Sequence, residues 1–293
     1  MKLSVIICAY NRELFLAKAV ESLVQQDADK NEYEIIVIDN NSKDNSPAIV
    51  KALIEKHNDT NILYFLETKQ GLSFARNRGI AEARGIYISF IDDDGMAAPD
   101  YVRNMLKAFE KYPGFDALGG KILPVYHQGS EPVWMSRYID GIVSKVDWGN
   151  EFGPFVKHKF PFGCNMAFRR NLFDEVCYFN TDLARSDDKF MFLTLREHGR
   201  HILYAPDIVV YHNIEATRTT REFVKKVSQH IGKNERVRLK DEPFATRIKK
   251  PFEYYFKFAA AMMLAIGFLF SGKPSKGSYV ILVRWWVMTG YYS

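Results

Sequence analysis

Positions 89–95 read "SFIDDDG", three carboxylates directly behind an apolar run. Adjacent like charges repel, and a buried strand end makes that worse, so a cation or a set of donors must offset them. Hard divalent cations prefer oxygen ligands. Mg²⁺ in particular is held by one or two carboxylates, with substrate phosphates and water completing the shell. A few carboxylates with a diphosphate is therefore the natural pairing. If the segment stays extended, Asp92 and Asp94 share one side and Asp93 opposes them. The competing reading is a solvated Asp-rich turn that caps the next helix.

The elements that must position these groups alternate along the first hundred residues. Residues 3–9 (LSVIICA), 34–39 (EIIVID), 62–67 (ILYFLE) and 86–91 (IYISFI) are short apolar runs suited to strands. Residues 12–26 carry Leu16, Ala19, Val20, Leu23 and Val24 at helical spacing. Ser46-Pro47 opens a second helix to about His57, residues 73–83 form a third, and residues 99–112 a fourth. Four such β-then-α runs predict a mostly parallel, Rossmann-like sheet with helices on its faces, whose strands are apolar because both sides are covered. Ligands of such sheets bind beyond the carboxyl ends of the strands. There the sequence places Ala9-Tyr10-Asn11-Arg12, Asp39-Asn40-Asn41-Ser42 and Asp92-Asp93-Asp94.

Several phosphate-binding devices are missing. No G-x-x-x-x-G-K-[ST] occurs, and no G-x-G-x-x-G follows the first strand. An aspartyl-nucleophile phosphatase would carry its Asp pair after strand one, which here ends in Ala9-Tyr10. A nucleotide held by side chains, its diphosphate bridged by a metal, remains. Further on, residues 120–165 are rich in Gly, Pro and aromatics and read as loops with short strands. Residues 171–176 and 188–198 read as helices, and 201–206 and 207–212 as two strand-like runs.

The ordered motifs "VIICAYNR", "IIVIDNNSKDNS", "GLSFARNRGIAEARGIYISFIDDD", "GCNMAFRR" and "SDDKFMFLTLREHG" resemble those of the family 2 glycosyltransferases, over about residues 1–235. The resemblance implies a GT-A fold, a nucleotide-diphosphate sugar, commonly UDP-linked, a divalent metal (Mn²⁺ or Mg²⁺), and transfer with inversion. It assigns Asp39 to the base or ribose, Arg76 to the nucleotide, Asp93 to the ribose side and Asp94 to the metal. Asp188 takes the place of the catalytic base. Asp187 stands where the family usually has Glu. The loop Gly163-Cys164-Asn165 is implied to face the donor sugar and acceptor, and His212 to approach the metal or diphosphate. An imidazole suits a Mn²⁺ shell, although a lone His at a strand end is often only hydrogen-bonded. Arg78, like Arg76, is either a phosphate or base-edge ligand or part of a solvated helix face, and Trp134 is either a sugar-stacking platform or a core aromatic.

These expectations fit chemistry. Breaking a sugar–phosphate bond builds charge on the leaving diphosphate, and the attacking hydroxyl must lose a proton. A single displacement needs one base and no covalent nucleophile. Alternatives are a nucleotidyltransferase acting on a sugar phosphate, or a catalytically silent sugar-nucleotide binding protein. The first would favour a basic Gly-rich loop near the N-terminus, where "CAYNRELF" has no glycine; the second would be expected to lose Asp94 or Asp188.

Composition is globular: 47% hydrophobic and 26% charged. Cys8, Cys164 and Cys177 form no CxxC pair and read as reduced thiols. Met1-Lys2 runs at once into a strand, so no signal peptide is expected. Residues 217–250 hold eleven Lys/Arg against four Asp/Glu, a net +7, which leaves −2 for the rest of the +5 total. This basic stretch leads into the apolar runs 258–270, 279–283 and 285–292. None reaches the roughly 20 apolar residues of a spanning helix, so interfacial or re-entrant segments fit better. The expected organisation is a catalytic domain at 1–215, nucleotide half about 1–95 and acceptor half about 96–215, with a basic then apolar helical extension at 216–293. The expected partners are a nucleotide-sugar donor, a glycan or lipid-linked acceptor and, through the C-terminus, a membrane surface. Nucleic acid is not among them, and an oligomer stays open. The expected place is the cytoplasmic, inner face of the cell membrane.

Overall fold

The computed structural model describes residues 1–127, 129–155, 159–182 and 187–293. Residues 128 and 156–158 of the expected loop region, and Ser186 of the last motif, lie outside the described residues. The β-then-α units stand as β1 (Leu3–Ala9), α1 (Leu16–Val24), β2 (Tyr33–Asp39), α2 (Ser46–Lys56), β3 (Ile62–Leu66), α3 (Leu72–Glu82) and β4 (Tyr87–Asp92). A short β5 (Gly95–Ala97) precedes α4 (Tyr101–Lys111). Then come β6 (Ala117–Tyr126), β7 (Gly153–Pro154), β8 (Met166–Arg169), α5 (Asn171–Glu175), α6 (Asp187–Glu197) and β9 (Ile202–Ile214). The chain ends in α7 (Arg221–Arg238), α8 (Phe244–Phe270) and α9 (Pro274–Tyr292).

The sheet runs β3-β2-β1-β4-β8-β6-β9-β5, with β7 beside β9. The first four strands are parallel, and β8 joins β4 antiparallel. Every residue of β2 is buried, as expected of a strand covered on both faces. The expected GT-A-like sheet flanked by helices stands here as a mixed sheet, parallel from β3 through β2 and β1 to β4 and antiparallel in the pairs β4-β8, β8-β6, β5-β9 and β7-β9. The strand-like runs 201–206 and 207–212 join in a single strand, β9, that continues through Pro206.

Two compact units result. The first comprises residues 1–124 and 146–213, the second 125–145 and 214–293. Residues 125–145, expected within the stretch 1–215, lie in the second unit with 214–293. The first unit's core is one apolar cluster from Leu3 to Val210. The second has its own, built on Trp134, Val224, Tyr254, Val283 and Trp286. There α7 and α9 cross with almost no space between backbones: a Cβ on Gly290 would lie 2.1 Å from the Gln229 carbonyl. Trp134 is 9% exposed and stacks on Tyr279, centroids 4.3 Å apart, so it is a core aromatic and not an open platform.

The tail also departs from expectation. The apolar run 258–270 is the second half of the 27-residue α8, which continues through Pro251. By length and composition α8 is sufficient to cross a membrane, which the apolar run alone is not. The difference arises because residues 244–257, with their charges, extend the same helix.

Candidate functional site

The register of the parallel strands brings the three polar strand ends to one edge. Ala9 on β1 lies opposite Asp39 on β2, and Cys8 lies opposite Asp92 on β4. The two loops beyond β1 and β2 hold each other. Asn11 Oδ1 accepts from the Lys43 N–H at 2.7 Å, Ser42 Oγ accepts from the Asn11 N–H at 3.0 Å, and Ser46 Oγ accepts from the Arg12 N–H at 3.1 Å. Asn11 and Asn41 sit at φ +51° and +62°, the left-handed region that Asn tolerates better than most residues. Asp39 is buried; Tyr64 donates its hydroxyl to Oδ2 at 2.9 Å, and the Ser42 N–H donates to Oδ1. Burial and then the Asp39 carboxylate push the Tyr64 phenol up to about 12, so it stays a donor.

The acidic triplet does not keep strand alternation, because β4 ends at Asp92 and a turn follows. Asp93 and Asp94 share Arg12, at 3.4 and 3.9 Å, while Asp92 faces Arg76 at 3.8 Å. The antiparallel pairing of β5 with β9 sets Gly95 opposite His212, and His212 Nε2 lies 3.1 Å from Asp94 Oδ1. Asn213 fixes this end: its side-chain amide donates to the Asp94 carbonyl at 2.9 Å. Among the described residues no three His, Cys, Asp or Glu gather closely enough to form a metal site by themselves. One carboxylate with phosphate oxygens suits Mn²⁺ or Mg²⁺, and an imidazole in the shell favours Mn²⁺ of the two.

Arg76 joins the triplet to the second acidic motif. It is 3% exposed, its Nη1 donates to Asp187 Oδ2 at 2.7 Å, and its guanidinium lies 5.2 Å and 5.9 Å from the ring centroids of Phe179 and Phe90. Ser73 adds a 3.3 Å hydrogen bond to the same Asp187 oxygen. Next to it, Asp188 accepts from the Gly163 N–H at 3.0 Å and from its neighbour Lys189 N–H at 2.7 Å. Gly163 has no side chain for a reason: a Cβ there would lie 2.1 Å from Arg76 Nη2. Asn165 sits fully buried just before β8 and donates to the Lys121 and Ile208 carbonyls, at 2.8 and 2.9 Å, which ties that end of β8 to its neighbour β6 and, beyond it, to β9.

Three carboxylates thus crowd a buried cation. Burial opposes the charge on Arg76, but Asp187, Asp92 and Asp188 outweigh it and hold its pKa above the usual value. Burial raises Asp188, and Asp187 adds repulsion, against the pull of Arg76 and the Gly163 N–H. Asp93 is raised well above the ordinary range by burial and then by Asp94. Burial also raises Asp92, although 39% of its side chain is exposed and water tempers the effect. The Cys8 thiol, partly buried beside this cluster, is pushed up by desolvation and is no thiolate nucleophile.

The sequence did not single out Tyr64, Ser73 or Phe179. Tyr64 lies mid-strand, Phe179 in an irregular segment, and Ser73 on a helix face shared with Arg76, so no hydrophobic period marks them.

Comparison with known proteins adds the following. The model described as Glycosyl transferase family 2 matches residues 4–177, a span that stops before the Asp187-Asp188 pair. A glucosyl-dolichyl phosphate glucuronosyltransferase of Haloferax volcanii is 25% identical over 255 residues, 81% of this chain and 77% of that one. Two bacterial relatives are longer, and the chain spans 12% and 64% of their lengths. Among solved structures, the mannosyltransferase PcManGT of Pyrobaculum calidifontis, in complex with GDP-Man and Mn²⁺, superposes with a TM-score of 0.67 at 19% identity, covering 98% of this chain and 87% of that one. TarS 1-349 of S. aureus, in complex with UDP-GlcNAc, does so with a TM-score of 0.55 at 19% identity, covering 84% of this chain and 69% of that one.

Proposed function

The chain belongs to glycosyl transferase family 2, and from that premise we propose that it moves a sugar from a UDP-linked donor to a hydroxyl of a glycan or lipid-linked acceptor, with inversion at the anomeric carbon. The observation that carries this reading is the meeting of two acidic motifs across Arg76: the triplet Asp92–Asp94 at the end of β4 and the pair Asp187-Asp188 at the start of α6.

The acceptor oxygen attacks the anomeric carbon, the sugar–phosphate bond breaks, and its electron pair leaves on the diphosphate. Asp188 takes the hydroxyl proton. Its raised pKa makes it a stronger base than an ordinary Asp. Asp187, locked on Arg76, holds the start of α6 and so the position of Asp188. Asp39 offers a carboxylate to the base or ribose, with Ala9 and Asn11 shaping that end, and Asp93 serves the ribose side. Arg12, 35% exposed beside Asp93 and Asp94, supplies a cation at the phosphates. Gly163 and Asn165 set the loop that faces the donor sugar. When bound, a Mn²⁺ or Mg²⁺ ion held by Asp94 and His212 supplies Lewis-acid stabilisation of the leaving charge. The C-terminal segment makes peripheral contact with the inner face of the cell membrane, where a lipid-linked acceptor would lie.

A UDP-sugar panel with Mn²⁺ tests the activity, with UDP release as the readout. The wild type releases UDP, and Asp188→Asn binds UDP but does not turn over. Normal turnover by Asp188→Asn would refute the base assignment, and pyrophosphate release from a nucleoside triphosphate would refute sugar transfer.

A further inference from the structure

Helix α8 is apolar on two faces. One packs against α9: Tyr254 and Ala261 are buried, and the Tyr254 ring lies 5.2 Å from that of Tyr291. The other faces solvent. Phe252, Phe256, Met263 and Phe270, spaced four, seven and seven residues apart, are each at least 70% exposed. A helix apolar all round belongs inside a protein or against lipid. Along the exposed side runs a groove of about 820 Å³. Tyr138 lines it together with Phe256, Ala260, Met263, Gly267 and Phe268 of α8. Its volume and its mainly apolar lining suit a hydrocarbon chain and offer little to a polar ligand.

The charges around it identify the occupant. Residues 258–270 carry none, whereas Arg247 and Lys249 precede them and Lys273 and Lys276 follow. Arg247, Lys249 and Lys273 are exposed, and the stretch 217–250 before the apolar run has a net charge of +7. Tyr255 and Trp285, 56% and 49% exposed, are residue types favoured at headgroup depth. An apolar centre between cationic ends matches an anionic bilayer, acyl chains under the centre and headgroups at the ends. The uncharged run is about 20 Å long at helical rise, short of the roughly 30 Å hydrocarbon core, so lying flat leaves the charged first half in the headgroups.

We propose that α8 lies in the headgroup–acyl boundary of an anionic membrane and that one phospholipid acyl chain fills the groove beside Tyr138. This rests on the reading of the C-terminus as a peripheral membrane element and names the face and residues that do it.

The test uses the full chain with phosphatidylcholine vesicles, with and without phosphatidylglycerol. The wild type pellets with the anionic vesicles and is released by salt. Phe256→Asp/Met263→Asp, at exposed positions and with an unchanged melting temperature, loses at least tenfold in partitioning. Native mass spectrometry of protein recovered from the vesicles finds one phospholipid on the wild type and none on Gly267→Leu, which fills the groove without adding charge. A wild type that ignores both vesicles overturns the membrane reading itself. A wild type that binds, with the double Asp variant binding equally, overturns only the placement on α8. A dimeric wild type that the double variant renders monomeric, with no vesicle binding, assigns the face to a second copy and overturns the proposal. Equal lipid on wild type and Gly267→Leu overturns the groove.

Discussion

Replacing Arg76 by Ala removes a buried cation that the two acidic motifs share. Arg76 is 3% exposed and the Asp187 side chain 5%, with 2.7 Å between them, so solvent screens little of the loss. Removing one partner of such a pair costs about 3–5 kcal/mol, because the remaining charge stays buried without compensation. For a unit of this size each 1 kcal/mol lowers Tm by about 2–4 °C, so the first unit should melt roughly 6–20 °C lower. The double variant Arg76→Ala/Asp187→Asn removes the stranded charge as well. It should recover part of the loss, with a coupling of about 0.5–3 kcal/mol. Calorimetry resolves the transition of the first unit, and urea unfolding followed by fluorescence gives the cycle. A drop below 2 °C for Arg76→Ala, or a double variant no more stable than the single one, would show that Arg76 is not an internal keystone, and the argument from burial would fail.

Further outcomes follow from the same geometry. Gly163→Ala pushes a Cβ to within 2.1 Å of Arg76 Nη2, and a guanidinium pinned by Asp187 and two rings yields only at a cost of about 1–3 kcal/mol; an unchanged Tm and unchanged kinetics would contradict it. Asp188 must be ionised to accept a proton, and its pKa is raised, first by burial and then by Asp187. The acid limb of kcat/KM should therefore lie above the usual Asp range, and Asp187→Asn should move it down, since it removes repulsion and frees Arg76; a pH–rate profile checks the direction. Asp93 is raised well above the ordinary range, so its ionised form costs stability above the unfolded-state pKa. At neutral pH, Asp93→Asn should raise the Tm of metal-free protein while lowering sugar transfer, the trade expected where a site holds strained charge, and a lowered Tm in the absence of metal would oppose that account.

Much of the sheet was legible because its strands are apolar and its helices amphipathic. α1 buries Leu16, Ala19, Val20, Leu23 and Val24, the residues whose spacing announced it. The three polar strand ends were legible for the same reason: they are where apolar runs stop. The antiparallel half was harder. β9 passes through Pro206, which reads as a break, and β6 carries two glycines and a proline. Side-chain direction was least legible. The buried face of α3 includes Ser73, Arg76 and Gly79, so hydrophobic periodicity gives no hint that Arg76 turns inward. Asn165, expected beside the donor sugar, spends its amide on two strand carbonyls. The exposed face of α8 illustrates the opposite case, where apolar residues stay outside and only the structure shows which ones.

Titration of UDP into the protein by calorimetry, with Mn²⁺ and then with chelator, tests the central claim most directly. The account predicts saturable UDP binding that needs the metal and is lost in Asp94→Asn. Binding of equal strength in chelator, or binding that Asp94→Asn leaves intact, would contradict it.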